Sequence, residues 1–287
     1  MTNFFVKSHG LGNDYIVLVA KDIGFRLTEK NIRTICDVHY GIGSDGILVL
    51  TESDNADFGL RILNPDGSEA EKSGNGLRIF SKFIFDYGYS QSNSFSVDTL
   101  GGIVQAVVTE TENGKARTIQ VDMGRAIFRS ADIPVICKNE ECLDEILELE
   151  HTTFTINCVS VGNPHCVVIK ENLSIEEILH YGTLIENHPM FPNRINVQFA
   201  KVISPGLVEI IIWERGAGYT LASGSSSSAV AAIMVKKGLT NPQLTIRMPG
   251  GDLQLGISKD WQIRMTGEVR EIVSGYLSNE LVFSLEK

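Results

Sequence analysis

The chain has 287 residues, enough for two average domains, and its 43% hydrophobic and 21% charged content excludes a disordered or collagen-like protein. Its formal charge of −10, from 25 basic and 35 acidic residues with no local Lys/Arg cluster, argues against nucleic acid as a partner. No apolar run approaches the roughly 20 residues a membrane helix needs. The start Met1-Thr2-Asn3-Phe4-Phe5-Val6-Lys7 lacks the basic-then-apolar grammar of a secretory signal, so a cytoplasmic protein away from membranes is expected.

Segments rich in Val, Ile and Phe, bounded by Gly, Asn, Asp or Pro, predict strands. The first lies over 15–20 and is followed by a helix that Thr28 caps, with Ile32, Ile35, Cys36 and His39 on its apolar face. Strands follow over 46–50 and 58–63. A helix opens after Ser73, with Leu77, Phe80, Phe83 and Ile84 on one face and Arg78, Lys82 and Asp86 on another. Further strands are predicted over 103–108, 119–123 and 165–169. Ser174 with Glu177 then forms a capping box around Ile175, Ile178 and Leu179. Strands over 195–202 and 208–213 lead to a helix after Ser223, whose small residues with Val230, Ile233 and Met234 mark it as buried. The last strands are expected over 244–248 and 281–285. Many strands with few helices imply α+β rather than a βαβ sheet.

The five cysteines (Cys36, Cys137, Cys142, Cys158, Cys166) are odd in number and irregularly spaced, which suits a reducing compartment better than a disulfide framework. Only Cys137 and Cys142 are close in sequence, and the six histidines are scattered without a His-Glu-x-x-His, so no metal site is expected.

A shift of the numbering by 150 superposes four landmarks. Gly12-Asn13 falls on Gly162-Asn163, Asn64 on Glu214 and Ser73-Gly74 on Ser223-Gly224, while Gly101-Gly102 lies one residue out of register with Gly250-Gly251. Two similarly folded halves are therefore expected, with polar loops of both at their junction, where small ligands usually bind. In each half a small-residue loop opens a helix, at Ser73-Gly74-Asn75-Gly76 and at Ser223-Gly224-Ser225-Ser226. Such helix starts expose backbone N–H groups that favour an anion. Either serine taken alone reads as ordinary capping; the pair points to a carboxylate held from both sides.

Gly41-Ile42-Gly43-Ser44-Asp45-Gly46 matches the dinucleotide fingerprint in letters only, because it follows a helix and precedes a strand, the reverse of what that site needs. No serine sits in Gly-x-Ser-x-Gly.

Several motifs, in order over nearly the whole chain, carry a resemblance. They are His9-Gly10-Leu11-Gly12-Asn13-Asp14, Gly41 to Gly46, Asn64-x-Asp66-Gly67-Ser68-Glu69-Ala70, Gly74-Asn75-Gly76-Leu77-Arg78 and Gly162-Asn163-Pro164-His165. Glu186-Asn187-His188-x-x-Phe191-Pro192-x-Arg194-x-Asn196, Trp213-Glu214-Arg215-Gly216 and Pro249-Gly250-Gly251 complete the set. The sequence resembles the diaminopimelate epimerases. The resemblance implies two pseudo-symmetric halves, each a β-barrel-like sheet around a central helix, with the active site in the cleft between them. Residues 1–125 with 275–287 would form the N-terminal half and 126–274 the C-terminal half. It further implies a homodimer that needs no cofactor, pyridoxal phosphate included, and that interconverts LL- and meso-diaminopimelate on the route to lysine and peptidoglycan.

By the same resemblance Asn13, Gly74, Asn75, Gly224 and Ser225 would surround the α-amino-carboxylate, and Asn64, Asn163, Asn196, Glu214 and Arg215 would read the distal amino acid. Arg215 suits a carboxylate and Glu214 an ammonium. Where the family places two catalytic cysteines, this chain has Ser73 and Ser223, followed in the second loop by Ser225-Ser226-Ser227-Ser228. An alcohol needs an adjacent base; His165 and Glu214 are the candidates, with Ser44 as a further assisting residue. The alternatives to an epimerase are a related racemase or dehydratase on another amino acid, and a non-catalytic amino-acid binder.

Overall fold

Two stretches of the chain repeat one another residue by residue in strand register. The computed structural model describes residues 2–149 and 151–286; Met1 and Lys287, the ends of the expected halves, and Glu150 lie outside the described residues. The first stretch runs β1 (Phe4–Gly10), β2 (Asn13–Val19), α1 (Glu29–Cys36), β3 (Ile47–Thr51), β4 (Phe58–Leu63), β5 (Glu69–Ala70), α2 (Gly74–Asp86), β6 (Ser94–Thr99), β7 (Gly102–Glu112) and β8 (Lys115–Arg125). It is followed by β9 (Glu145–Leu149), β10 (Thr152–Ser160), β11 (Pro164–Ile169), α3 (Ile175–Glu186), β12 (Asn196–Ser204), β13 (Leu207–Glu214) and β14 (Gly218–Thr220). Then come α4 (Gly224–Lys236), β15 (Gln243–Met248), β16 (Gly251–Ile257), β17 (Gln262–Glu268), β18 (Arg270–Tyr276) and α5 (Asn279–Leu285).

The parallel pair β2/β3 sets Ile16 opposite Ile47, and β11/β12 sets Cys166 opposite Val197, an offset of 150 at both positions (166 − 16 and 197 − 47). The antiparallel pairs β3/β4 and β12/β13 repeat it, with Ile47 opposite Leu63 and Val197 opposite Trp213. Beyond the helix the offset drops to 149: Thr99 pairs Gly102 and Met248 pairs Gly251. The one-residue slip at the paired glycines is therefore a deletion between α4 and β15, and the pairing pattern survives it.

The chain folds as two compact units, Met1–Val121 with Gly267–Lys287, and Asp122–Thr266. Residues 267–274, assigned above to the second half, group with the first because β18 is hydrogen-bonded along β1, Phe4 opposite Tyr276 and Val6 opposite Ser274. In the first unit α2 packs on β1, β2, β3 and β7; in the second, α4 packs on β10, β11, β12, β15 and β16. Each half is thus a sheet around a central helix, and the fold class is α+β.

The helices form for local reasons and stay for tertiary ones. Thr28, Ser73, Ser174, Ser223 and Ser278 each occupy the N-cap and accept a backbone N–H of the first turn. In α4, Val230, Ile233 and Met234 are fully buried, each contributing about 1.5–3 kcal/mol relative to exposure. The polar side of α2 is buried as well. Lys82 pairs with Asp86 at 2.7 Å and donates to the Ala116 carbonyl, while Asp86 accepts the Ala116 N–H.

Three local expectations are corrected. Residues 281–285 form part of helix α5, not a strand: Ser278 caps it, and Leu281, Val282 and Leu285 turn one face into the cluster around Ile32 and Ile35 of α1. Helix α1 stops at Cys36, because the Asp37 carboxylate captures the N–H groups of His39 and Tyr40, and His39 is exposed. On α3 the buried residues are Ile178, Gly182, Ile185 and Glu186, whereas Ile175 and Leu179 face outward. A glycine is needed at 182 because the Trp213 indole lies against it; a methyl there would sit 2.6 Å from Trp213 Cγ.

Candidate active site: two matched helix starts

In the first unit the site is built at the N-terminus of α2. The Ser73 hydroxyl accepts the Gly76 N–H at 3.0 Å and shares a hydrogen bond of 3.3 Å with the Tyr15 hydroxyl. Tyr15 reaches this point because residue 46 is glycine. A methyl there would lie 2.7 Å from both Tyr15 Cε1 and the Leu63 carbonyl oxygen. Behind the helix start runs a polar chain. The buried Arg78 guanidinium donates to Asn75 Oδ1 at 2.8 Å, Asn75 Nδ2 donates to Asn13 Oδ1 at 3.1 Å, and Asn13 Nδ2 donates to Asp45 Oδ2 at 2.8 Å. The order cation, amide, amide, carboxylate sets the orientation of both asparagines. Burial lowers the Arg78 pKa to about 10, which still leaves it charged near neutral pH.

Ser44 and Asn64 serve their loops. The Ser44 hydroxyl donates to the Gly46 and Asp14 carbonyls, which secures the turn that carries Asp45. Asn64 donates to Ser68 Oγ, whose own proton goes to Asp66.

In the second unit Ser223 occupies the equivalent cap. Its oxygen accepts the Ser226 N–H at 3.4 Å and lies 3.4 Å from Ser225 Oγ. The Glu214 carboxyl, at the end of β13, interacts with the Ser223 hydroxyl. Burial raises the Glu214 pKa, and the Ser223 hydroxyl partly offsets the rise. Glu214 therefore stands beside the capping serine of its own unit.

His165 is fully buried. Gln198 Nε2 donates to its Nδ1 at 3.1 Å and to Ser226 Oγ at 3.0 Å, so the imidazole is connected to the first turn of α4. The ring proton is then on Nε2 and goes to Asn163 Oδ1 at 2.9 Å. Desolvation lowers the His165 pKa to about 3 and keeps it neutral. Asn196 uses both ends of its amide inside the protein, donating to the Pro164 carbonyl and accepting the Arg215 N–H. It positions Arg215, whose exposed guanidinium rests on the Asn193 carbonyl at 3.0 Å. The buried Glu186 carboxylate holds the same turn by accepting from Trp213 Nε1 and the Gly216 N–H.

Within one unit, Ser73, Gly74, Asn75 and Asn13 come together with Tyr15, Asp45 and Arg78, which the sequence reading had not assigned to the site. Within the other, Ser223, Gly224, Ser225 and Glu214 come together, with His165 and Asn163 connected through Gln198 and Ser226. Gln198 had a signal: with Asn196 it is a polar residue set among Ile195, Val197, Phe199 and Ala200, at the period-2 spacing of one face. Arg78, the one charge in a helix start that is otherwise uncharged, had one too. Glu186 had only its place in a motif of the resemblance, and Tyr15 had none, since an aromatic in a strand is commonplace. Among the described residues no group of three or more His, Cys, Asp or Glu is arranged to hold a metal ion, and no helix is long and apolar enough to cross a membrane.

The fold matches a hydroxyproline epimerase from Agrobacterium vitis, solved with trans-4-hydroxy-L-proline, at a TM-score of 0.71 over 96% of this chain and 90% of that one, with 16% identity. A methylitaconate-delta-isomerase matches at 0.68 over 98% and 97%, with 15% identity. The likeness defines the class of the fold, the two-halved architecture of these isomerases. Sequence comparison then specifies the family. The profile described as diaminopimelate epimerase matches residues 5–129 and 157–272. The chain is 48% identical to diaminopimelate epimerase 2 of Nostoc sp. over 98% of both chains. It is 36% identical to the diaminopimelate epimerase of Alkaliphilus metalliredigens over 97% of this chain and 98% of that one. The chain belongs to the diaminopimelate epimerase family.

Proposed function

We propose that the protein interconverts LL- and meso-2,6-diaminopimelate, a lysine and peptidoglycan precursor, by removing the α-proton on one face and returning a proton on the other. The observation that carries this reading is the pairing of Ser73 and Ser223, which cap equivalent helices 150 positions apart in a chain of this family.

In this mechanism the α-carboxylate lies at the helix starts, where Gly74, Asn75, Gly224 and Ser225 offer backbone N–H groups and Asn13 and Asn75 orient the amino acid. Asn64 and Asn163 face the distal ammonium. Arg215, positioned by Asn196, holds the distal carboxylate. Glu214, which the sequence offered as a candidate base, works with Ser223. As the α-proton moves to the Ser223 oxygen, the Ser223 proton passes to Glu214. Ser73 delivers a proton to the opposite face and recovers one from Tyr15, and the reverse reaction exchanges the roles. An alcohol relay is weaker than a thiolate, whose unperturbed pKa is about 8.5, so turnover is slow beside a cysteine-based pair. His165 stays neutral and holds the Asn163 amide.

The test is incubation with diaminopimelate in D₂O. Deuterium at Cα together with interconversion of the isomers is the expected result. Binding without exchange would reject the epimerase and leave an amino-acid binder; exchange on a shorter amino acid alone would make it a racemase of another substrate.

The family resemblance also supports a cofactor-free, cytoplasmic homodimer. The outward-facing Ile272, Val273 and Tyr276 on β18 are suited to cover one another in such a dimer. Sedimentation at several concentrations tests it.

A further inference from the structure

Four of the five cysteines fall in the second unit, and the fold gathers them although they are scattered from 137 to 166 in sequence. Cys142, Cys158 and Cys166 are buried in one core cluster, and Cys137 packs at its edge. Cys142 Sγ lies 3.5 Å from Cys158 Sγ, and the Cys158 N–H donates to the Cys142 carbonyl at 2.8 Å, which ties the two main chains together. Cys158 on β10 stands directly opposite Cys166 on β11. The Cys142 thiol also interacts with that of Cys137, which packs against the same cluster. A continuous line of sulfurs thus runs from 137 through 142 and 158 to 166. Only its first member is partly exposed.

Cys137 is the member of the line that solvent reaches. Its Sγ donates to the Asn139 carbonyl at 3.1 Å and lies 3.1 Å from Ser130 Oγ. Once the thiol has lost its proton, the Ser130 hydroxyl can turn and donate to the sulfur. We propose that Cys137 is an oxidation site for hydroperoxides, and that Cys142 resolves the oxidised sulfur as an intramolecular disulfide. This inference is independent of the proposed epimerase activity, whose proton-transferring groups are hydroxyls and a carboxylate.

The chemistry balances with hydrogen peroxide as oxidant. The Cys137 thiolate attacks one peroxide oxygen, the O–O bond breaks, and a sulfenic acid and hydroxide form; the hydroxide takes up the thiol proton as water. The Cys142 sulfur then attacks the Cys137 sulfur, the S–O bond breaks, and the departing hydroxide leaves as water with the Cys142 proton. Two thiols and one peroxide become one disulfide and two waters. A further exchange is open: Cys158 attacks Cys142, breaks the first disulfide and returns Cys137 as a thiol, which moves the oxidation to the buried Cys142–Cys158 pair.

The full chain is treated with hydrogen peroxide, quenched with a thiol-alkylating reagent and mapped by peptide mass spectrometry. The expected product is a loss of two hydrogens, with a disulfide joining Cys142 to Cys137 or to Cys158. Cys137→Ser should slow that disulfide by about tenfold or more, because the remaining thiols of the line are inaccessible. Cys142→Ala should leave Cys137 as a sulfenic acid that dimedone captures. Should the Cys142→Ala chain fail to fold, the wild-type map and Cys137→Ser decide the matter. An equally fast Cys142–Cys158 disulfide in Cys137→Ser, oxidation of Cys137 to sulfinic acid without any disulfide, or prior oxidation of Cys36 would each overturn the proposal.

Discussion

The Glu214 carboxyl interacts with the Ser223 hydroxyl, which puts a base beside one of the two matched capping serines. Burial raises the Glu214 pKa, so its proton is held to a higher pH than on an exposed carboxylate. The base form is therefore lost as pH falls through that raised value, and Cα exchange should decline on the acidic side. Glu214→Gln should lower exchange by about 10²–10⁴-fold and remove the acidic limb of its pH profile, followed by NMR. A variant with the wild-type rate and profile would take Glu214 out of the proton path.

Replacing both hydroxyls by thiols tests the pairing itself. Ser73→Cys with Ser223→Cys should raise the exchange rate by about tenfold or more, because a thiol gives up its proton near pH 8.5 and more readily still at a helix N-terminus. A double variant that binds diaminopimelate in calorimetry yet stays inert would mean that the two positions do not flank one α-carbon.

Gly46 has a steric reason that can be measured. Gly46→Ala places a methyl 2.7 Å from the Leu63 carbonyl oxygen and from the Tyr15 ring, so the strand or the ring must move. A loss of about 1–3 kcal/mol in urea unfolding is expected. Because Tyr15 shifts away from Ser73, exchange should fall as well. Tyr15→Phe, which keeps the ring and loses only the hydroxyl, should reproduce the loss of exchange with a smaller change in stability.

His165 makes stability depend on pH in a defined direction. Its folded pKa is lowered to about 3 while an unfolded histidine titrates near 6.5, so below 6.5 the unfolded chain binds a proton that the folded chain refuses. The stabilisation is intact above 6.5 and is lost as pH falls from there towards 3. Between pH 7.5 and 5.5 the loss is about 1.4 kcal/mol, before most carboxylates titrate. Urea melts of the wild type and of His165→Gln at the two pH values should differ by that amount in their pH response. Equal responses would show that His165 takes up a proton in the folded state.

Much of the architecture was legible because it rests on short-range rules. Ser73 and Ser223 were readable as caps since a serine before a helical run has few other uses, and the 150-residue offset was visible because equivalent turns need the same small residues. The run 281–285 was misread because five consecutive apolar residues satisfy a strand and one face of a short helix equally well. Only contact with Ile32 and Ile35 of α1 decides between them. Glu214 was readable both as a distal contact, by resemblance, and as a candidate base. Sequence alone could not say which groups stand near it, and only the fold sets its carboxyl beside Ser223.

The sequence by itself determined the duplicated α+β plan, the positions of the two capping serines and the family, because periodicity, turn chemistry and motif order are properties of neighbours along the chain. Tertiary structure decided which groups stand beside those serines, how Arg78 and Asp45 orient the asparagines between them, and that Cys137, Cys142, Cys158 and Cys166 form one line. Those relations join residues far apart in sequence through strand pairing and burial, and no local pattern encodes the distance between two side chains carried by different strands.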